Sequence, residues 1–272
     1  MVDFEFREHY SFEDLVEVVD ILRHPGGCPW DMEQTHESLR RCLMEETCEV
    51  LEAIDRKDDT LLCEELGDVL LQVVFHASLA RDGGRFTMDD VADGVCRKMI
   101  SRHPHVFGSE KADTAEEVLV NWEEIKRAEK GQETVTDAMK SVATTLPALW
   151  RAEKILKKAA KAGFVWPNIN GALAKLHEEQ EELCEAVRDR TNVREELGDV
   201  LFAAVAVARF AGIDPEEALQ EASDKYISRF SHVEEGALAQ GRELADMSLD
   251  EMIALWQEAK KQKKIQEETE HE

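Results

Sequence analysis

The 272-residue chain predicts an all-α fold, and three observations carry that prediction. Prolines number only six, and no stretch alternates apolar and polar residues as a half-buried strand would. Helix-start signals, in which Ser, Thr or Asp is followed three residues later by an acid, recur along the chain. An acidic pattern, Glu-Glu-x-x-Glu on one segment and Glu-x-x-Asp on the next, occurs twice. Residues 45–49 (EETCE) precede EELGDVL at 64–70, and residues 178–182 (EEQEE) precede EELGDVL at 195–201.

The elements follow in order. Ser11-Phe12-Glu13-Asp14 opens a helix over 12–23. A unit of four helices follows over 38–56, 60–81, 88–103 and 115–129; Thr87-Met88-Asp89-Asp90 starts the third and Thr114-Ala115-Glu116-Glu117 the fourth. A second unit is predicted over 171–188, 192–211, 215–233 and 249–263. Its third helix opens at Asp214-Pro215, with proline where a first helical residue tolerates it. Its fourth opens at Ser248-Leu249-Asp250-Glu251. The correspondence is consistent: Glu45 matches Glu178 at +133, Glu65 matches Glu196 at +131, Lys98 matches Lys225 at +127, and Trp122 matches Trp256 at +134. Offsets change between helices, where insertions belong. The expected division is 1–130, a partly helical connector over 131–168, a second domain over 169–260, and a charged tail over 261–272 that frays.

Bulk composition excludes several functions. The net charge of −26 argues against nucleic-acid backbones and anionic membranes as partners. No apolar run is long enough to span a bilayer, and the acidic, aromatic start MVDFEFREHY is unlike a signal peptide. Six cysteines without a C-x-x-C pair predict reduced thiols and a cytoplasmic protein.

The acidic sets need a physical reason. Two carboxylates about 4 Å apart repel by roughly 4 kcal/mol at an effective dielectric near 20. On a helix Glu178, Glu179 and Glu182 share one face, which Lys175 joins from three residues earlier. Glu196 and Asp199 share a face of the next helix, among Leu197, Val200 and Leu201. Gly198 lies between these acids and costs about 1 kcal/mol against alanine, so close approach of another backbone or a ligand is expected there. A single E-x-x-D reads as a solvated face. Two facing sets, repeated, point to a hard, oxygen-loving cation, Mg²⁺ or Mn²⁺. Zinc does not fit, because no His/Cys cluster accompanies the acids.

Further motifs add to this. Lys225 and Arg229, four apart on the third helix, recur as Lys98 and Arg102 and suit phosphate contacts. Trp256 and Trp122, one helix later, read equally as core residues or as base-stacking platforms. Arg151, Lys154, Lys157, Lys158 and Lys161 form a basic stretch, read as a solvated helix face or a contact with an acidic half. P-loop, dinucleotide and nucleophile-elbow motifs are absent from the sequence.

Taken with HPGGCPWD and QTHESL over 24–39, KMISRHPHVF over 98–107 and NWEEIK over 121–126, these motifs resemble the MazG family of nucleoside triphosphate pyrophosphohydrolases in its tandem bacterial form. The resemblance covers nearly the whole chain except the tail. It implies two tandem four-helix MazG-like units and a homodimer built by helical packing. It also implies Mg²⁺-dependent hydrolysis of ribo- and deoxyribonucleoside triphosphates to monophosphate and pyrophosphate. Carried over, Glu179, Glu182, Glu196 and Asp199 are metal ligands. Lys175, Glu178, Glu195, Lys225, Arg229 and Trp256 line the nucleotide pocket, and Glu178 or Glu195 orients the attacking water or takes its proton.

One departure separates the halves. Cys42 stands where the second half has Lys175, and Arg41 lies about 100° away around the helix. The second half is therefore expected to work. The first-half set, Glu46, Glu49, Glu65 and Asp68, is expected to be weak, divergent or structural. A di-iron carboxylate bundle would need Glu-x-x-His beside the acids; Glu33-x-x-His36 and Glu268-x-x-His271 lie elsewhere. A specialised pyrophosphohydrolase of dUTP, dCTP or phosphoribosyl-ATP, or a non-catalytic nucleotide-binding adaptor, are the remaining alternatives.

Overall fold

The computed structural model describes residues 4–270 and contains only helices among them. Two compact units divide the chain, 1–126 and 127–272.

In the first unit α1 (Phe12–Arg23) begins with the expected capping box, Ser11 and Asp14 bonding reciprocally. A short α2 (Pro29–Met32) follows. Then come α3 (Arg40–Arg56) and α4 (Asp59–Asp82), packed together as a hairpin. α1 packs on α4 through Val19, Val74 and Phe75, with Leu39 joining this small core. At its rim, Arg23 donates to Ser78 at 2.5 Å and pairs with Asp82 at 2.8 Å. α5 (Met88–Arg102) starts at the predicted Thr87 capping box and leads into α6 (Pro104–Phe107). α7 (Ala115–Glu129) crosses the boundary between the units.

The second unit contains α8 (Val135–Lys140), α9 (Ala148–Lys161), α10 (Ile169–Asp189), α11 (Val193–Ala211), α12 (Pro215–Ala239) and α13 (Leu249–Glu270). α10 and α11 form a hairpin like that of α3 and α4. Both first arms end on a non-glycine residue in the left-handed region, Lys57 at φ 55° and Arg190 at φ 56°. In each, the following N–H reaches back to a carbonyl, Asp58 to Ala53 and Thr191 to Ala186, and closes the helix end. α12 and α13 pair so closely that a Cβ on Gly236 would lie 2.7 Å from Leu255.

In the connector, expected to be partly helical, residues 148–161 form α9, which packs on α11 and α12. Two features differ from expectation. α12 runs to Ala239 rather than 233, because no proline or glycine pair interrupts SHVEEGALA. The tail expected to fray is helical to Glu270, consistent with its Lys, Gln and Glu content. His271, of the second Glu-x-x-His, lies outside the described residues.

Asp214 joins α9 to the start of α12. Its carboxylate accepts from the Glu216 and Glu217 amides at 2.8 and 3.2 Å, and from the Trp150 indole at 2.9 and 3.0 Å. Asp214→Ala removes an N-cap and leaves the indole N–H unpaired. It should destabilise the second unit by about 2 kcal/mol, read by denaturant unfolding followed through tryptophan fluorescence.

Candidate active site

Each hairpin brings its acids together. In the second unit, carboxylate oxygens of Glu179 from α10 and of Glu196 and Asp199 from α11 all lie within 4.8 Å of one another. Glu179 is only 6 % exposed. In the first unit Glu46 and Glu49 of α3 meet Glu65 of α4 within the same limit. Asp68 stands close enough to act on Glu46 and Glu65. Glu182 is outside the second trio but shares a hydrogen bond with Glu179.

The two clusters differ in how their charge is compensated. Lys175 places its Nζ 2.7 Å from Glu178 Oε1 and 2.7 Å from Glu179 Oε1. That bond holds the Glu179 carboxyl below its ordinary range against the opposing effect of burial. The same two acids push the Lys175 ammonium upward. Glu182 is pushed up, first by the hydrogen bond with Glu179, then by burial and by the Glu179 charge. The two carboxyls are thus pushed in opposite directions, Glu179 down and Glu182 up.

In the first unit Arg41 turns away and pairs with Glu45 at 2.7 Å. Glu46 is pushed up by burial and then by Asp68 and Glu49; Glu65 is pushed up by burial and then by Glu49 and Asp68. The hairpin turn adds a further contrast. Between the left-handed cap and the acids, the second hairpin is two residues shorter. Glu195 and Glu196 thus lie in the first turn of α11, where the helix dipole favours anions, whereas Glu65 lies a turn deeper in α4.

The donor set is all carboxylate oxygen, held by two helices, with one member buried. That chemistry fits a hard divalent cation such as Mg²⁺ and not zinc. No backbone approaches Gly67 or Gly198: a Cβ at either would meet nothing within 4 Å. The close backbone approach expected at Gly198 is therefore not made by this chain, and the space beside the acids is open.

The α12 residues form a separate group on the α12–α13 pair. The Arg229 guanidinium lies 5.8 Å from the Trp256 ring, and Tyr226 tilts against the same ring at 4.8 Å. Lys225 is exposed and forms no ion pair among the described residues. In the first unit Arg102 stands 5.1 Å from Trp122, and His103 meets that ring edge-on at 5.1 Å. Tyr226 was not among the expected site residues, although it is three residues from Arg229 and so shares its face. Nor was the pairing of His36 with His76 expected; their Nδ1 atoms are 2.8 Å apart while Arg85 reaches the His36 Nε2.

A family model for the MazG nucleotide pyrophosphohydrolase domain matches the chain twice, over residues 34–107 and 169–234, and each match contains one acidic hairpin. The chain belongs to the MazG family. It is accordingly a hydrolase of the nucleotide pyrophosphohydrolase class. Relatives agree along most of its length. The Thermotoga maritima nucleoside triphosphate pyrophosphohydrolase/pyrophosphatase MazG is 43 % identical over 249 residues, covering 92 % of this chain and 95 % of that one. The Escherichia coli K12 nucleoside triphosphate pyrophosphohydrolase is 42 % identical over 257 residues, covering 93 % and 98 %. The uncharacterised YabN of Bacillus subtilis is 48 % identical over 256 residues, and the chain spans about half of that protein's length (52 %). No helix among the described residues is long and apolar enough to cross a membrane.

The Lys175 contact makes a direct prediction for the metal-free MazG protein. In Lys175→Met the main cause lowering Glu179 is gone and burial remains, so its carboxyl should titrate at higher pH than in the wild type. A ¹³C NMR titration of labelled glutamates reads this; an unchanged Glu179 midpoint would show that Lys175 does not hold it.

Proposed function

We propose that the second MazG unit hydrolyses nucleoside triphosphates, ribo and deoxyribo alike, to monophosphate and pyrophosphate. The cofactor is Mg²⁺, with Mn²⁺ as a substitute, and the role is nucleotide-pool housekeeping in the cytoplasm. The observation that carries this reading is the convergence of Glu179, Glu196 and Asp199 within 4.8 Å, with Glu179 buried. The printed names of the Thermotoga and Escherichia relatives support the substrate class.

Glu179, Glu182, Glu196 and Asp199 would hold the cation through carboxylate oxygens. When bound, a divalent ion neutralises phosphate charge and acidifies water. The remaining work falls to the chain. Lys225 and Arg229 take phosphate oxygens as a point charge and a fork. Trp256, braced by Tyr226, offers a ring face to the base. Glu178 is engaged by Lys175 and positions that ammonium. Glu195 is exposed, and among the described residues its carboxylate makes no hydrogen bond or ion pair. It is left available to take a proton from the attacking water, with Glu178 the alternative.

A homodimer is supported by the apolar side chains left uncovered along these helices. Leu197, Leu201, Leu219 and Ile227 are each about half exposed or more, at 48, 49, 55 and 66 %. A second copy of the chain would bury them. Leu201→Glu with Ile227→Glu should therefore convert the particle to monomers in light scattering coupled to size exclusion.

The activity is tested by product analysis. Protein incubated with ATP or dTTP, with Mg²⁺ or EDTA, should yield monophosphate plus pyrophosphate only with Mg²⁺. Glu179→Gln should lower turnover by about 10²-fold or more, and Glu46→Gln should leave it nearly unchanged. Diphosphate plus phosphate would mean a different bond is cut. Loss in Glu46→Gln with activity kept in Glu179→Gln would move the site to the first unit.

A further inference from the structure

Among the described residues α9 is the one strongly basic element in an acidic protein. It carries Arg151, Lys154, Lys157, Lys158 and Lys161 against a single acid, Glu153. It also lies outside both spans that match the family model. Glu153, Lys157 and Lys161 are spaced four apart and so share one face. That face lines a cleft of about 480 Å³, with Ala160 as part of its wall and Arg209 of α11 opposite. The volume lies within the range of small-ligand pockets.

The cations here have an ordinary alternative role. Lys161 and Arg209 lie in the last turns of their helices, where positive charge complements the dipole. That accounts for each residue singly but not for their convergence. Lys157 precedes the last turn of its helix. Among the described residues neither Lys157 nor Arg209 has a carboxylate partner, although the chain contains 59 acids. The Arg209 guanidinium is half-buried and stands 5.5 Å from the ring of its neighbour Phe210. Lys157 and Arg209, neither paired with a carboxylate among the described residues, outweigh Glu153 and give the cleft a positive charge inside a strongly negative molecule, and this favours a compact anion over a surface. Lysine point charges beside an arginine fork suit phosphoryl oxygens.

We infer that the α9–α11 cleft is a second, metal-independent binding site for a polyphosphate group, contacted by Lys157, Lys161 and Arg209. The carboxylate hairpin needs a divalent ion before a polyphosphate can approach it, whereas this cleft does not. The group is either free pyrophosphate or the phosphate chain of a nucleotide, and both present the same oxygens.

Calorimetry on the full chain in EDTA and low salt, titrating sodium pyrophosphate and separately ATP, tests this. One saturable site per chain is expected, kept in Glu179→Gln, weakened about 10-fold or more in Lys157→Ala and in Arg209→Ala, and weakened by added salt. Equal affinity for the two probes assigns the site to the phosphates alone, and tighter ATP binding adds a nucleoside contact. Lys157 is exposed and its truncation leaves the fold intact, so Lys157→Ala decides if Arg209→Ala unfolds. No binding of either probe in EDTA overturns the inference. So does binding unchanged in Lys157→Ala but lost in Lys225→Ala with Arg229→Ala.

Discussion

Like charges held a few ångströms apart govern what each hairpin can be. Bringing three or four carboxylates to one place opposes the packing that creates the hairpin, and the conflict is settled differently in the two units. In the second, Lys175 lies against Glu179 and holds its carboxyl down, while Glu182 beside it is pushed up. In the first, burial and mutual repulsion push Glu46 and Glu65 upward with no cation from the chain. In the second unit the chain itself supplies part of the compensating charge, through the Lys175 ammonium between Glu178 and Glu179.

The surrounding helices serve that arrangement. α9, clamped to the head of α12 by the Trp150–Asp214 bond, supports the outer face of α11. α12 meets α13 over Gly236, which fixes Arg229 and Tyr226 around the Trp256 ring. The acids thus sit on the α10–α11 hairpin and the α12 cations on the α12–α13 pair, and the space beside Gly198 is open.

Much of this was legible in the sequence because it is local. Capping boxes at Ser11, Thr87 and Ser248 and the N-cap at Asp214 mark helix starts through bonds spanning three residues or fewer. Acids three or four apart declare a shared face, and the pairing of two such faces follows from a hairpin too short to do otherwise. What was hidden depends on distance along the chain. The His36–His76 contact joins residues forty apart, and the packing of α9 is set by where α11 and α12 lie. Basic residues at helical spacing look the same whether they face water or line a cleft with Arg209. Gly198 gave no guide to its surroundings, because a missing side chain reads alike for a tight contact and for open space.

The left-handed residues Lys57 and Arg190 carry a different kind of record. Glycine is the usual occupant of such a helix end, and a side chain there costs about 1 kcal/mol or more. Each unit nevertheless holds a long basic side chain at that torsion, and the φ angles agree to within a degree. The two copies differ on either side of this point, by two residues in the turn just beyond it and by Cys42 against Lys175 beside the acids. A bend in the backbone together with its strain is thus common to both halves although its occupant differs. Kinship between the halves can be traced through torsion angles where the letters alone have drifted.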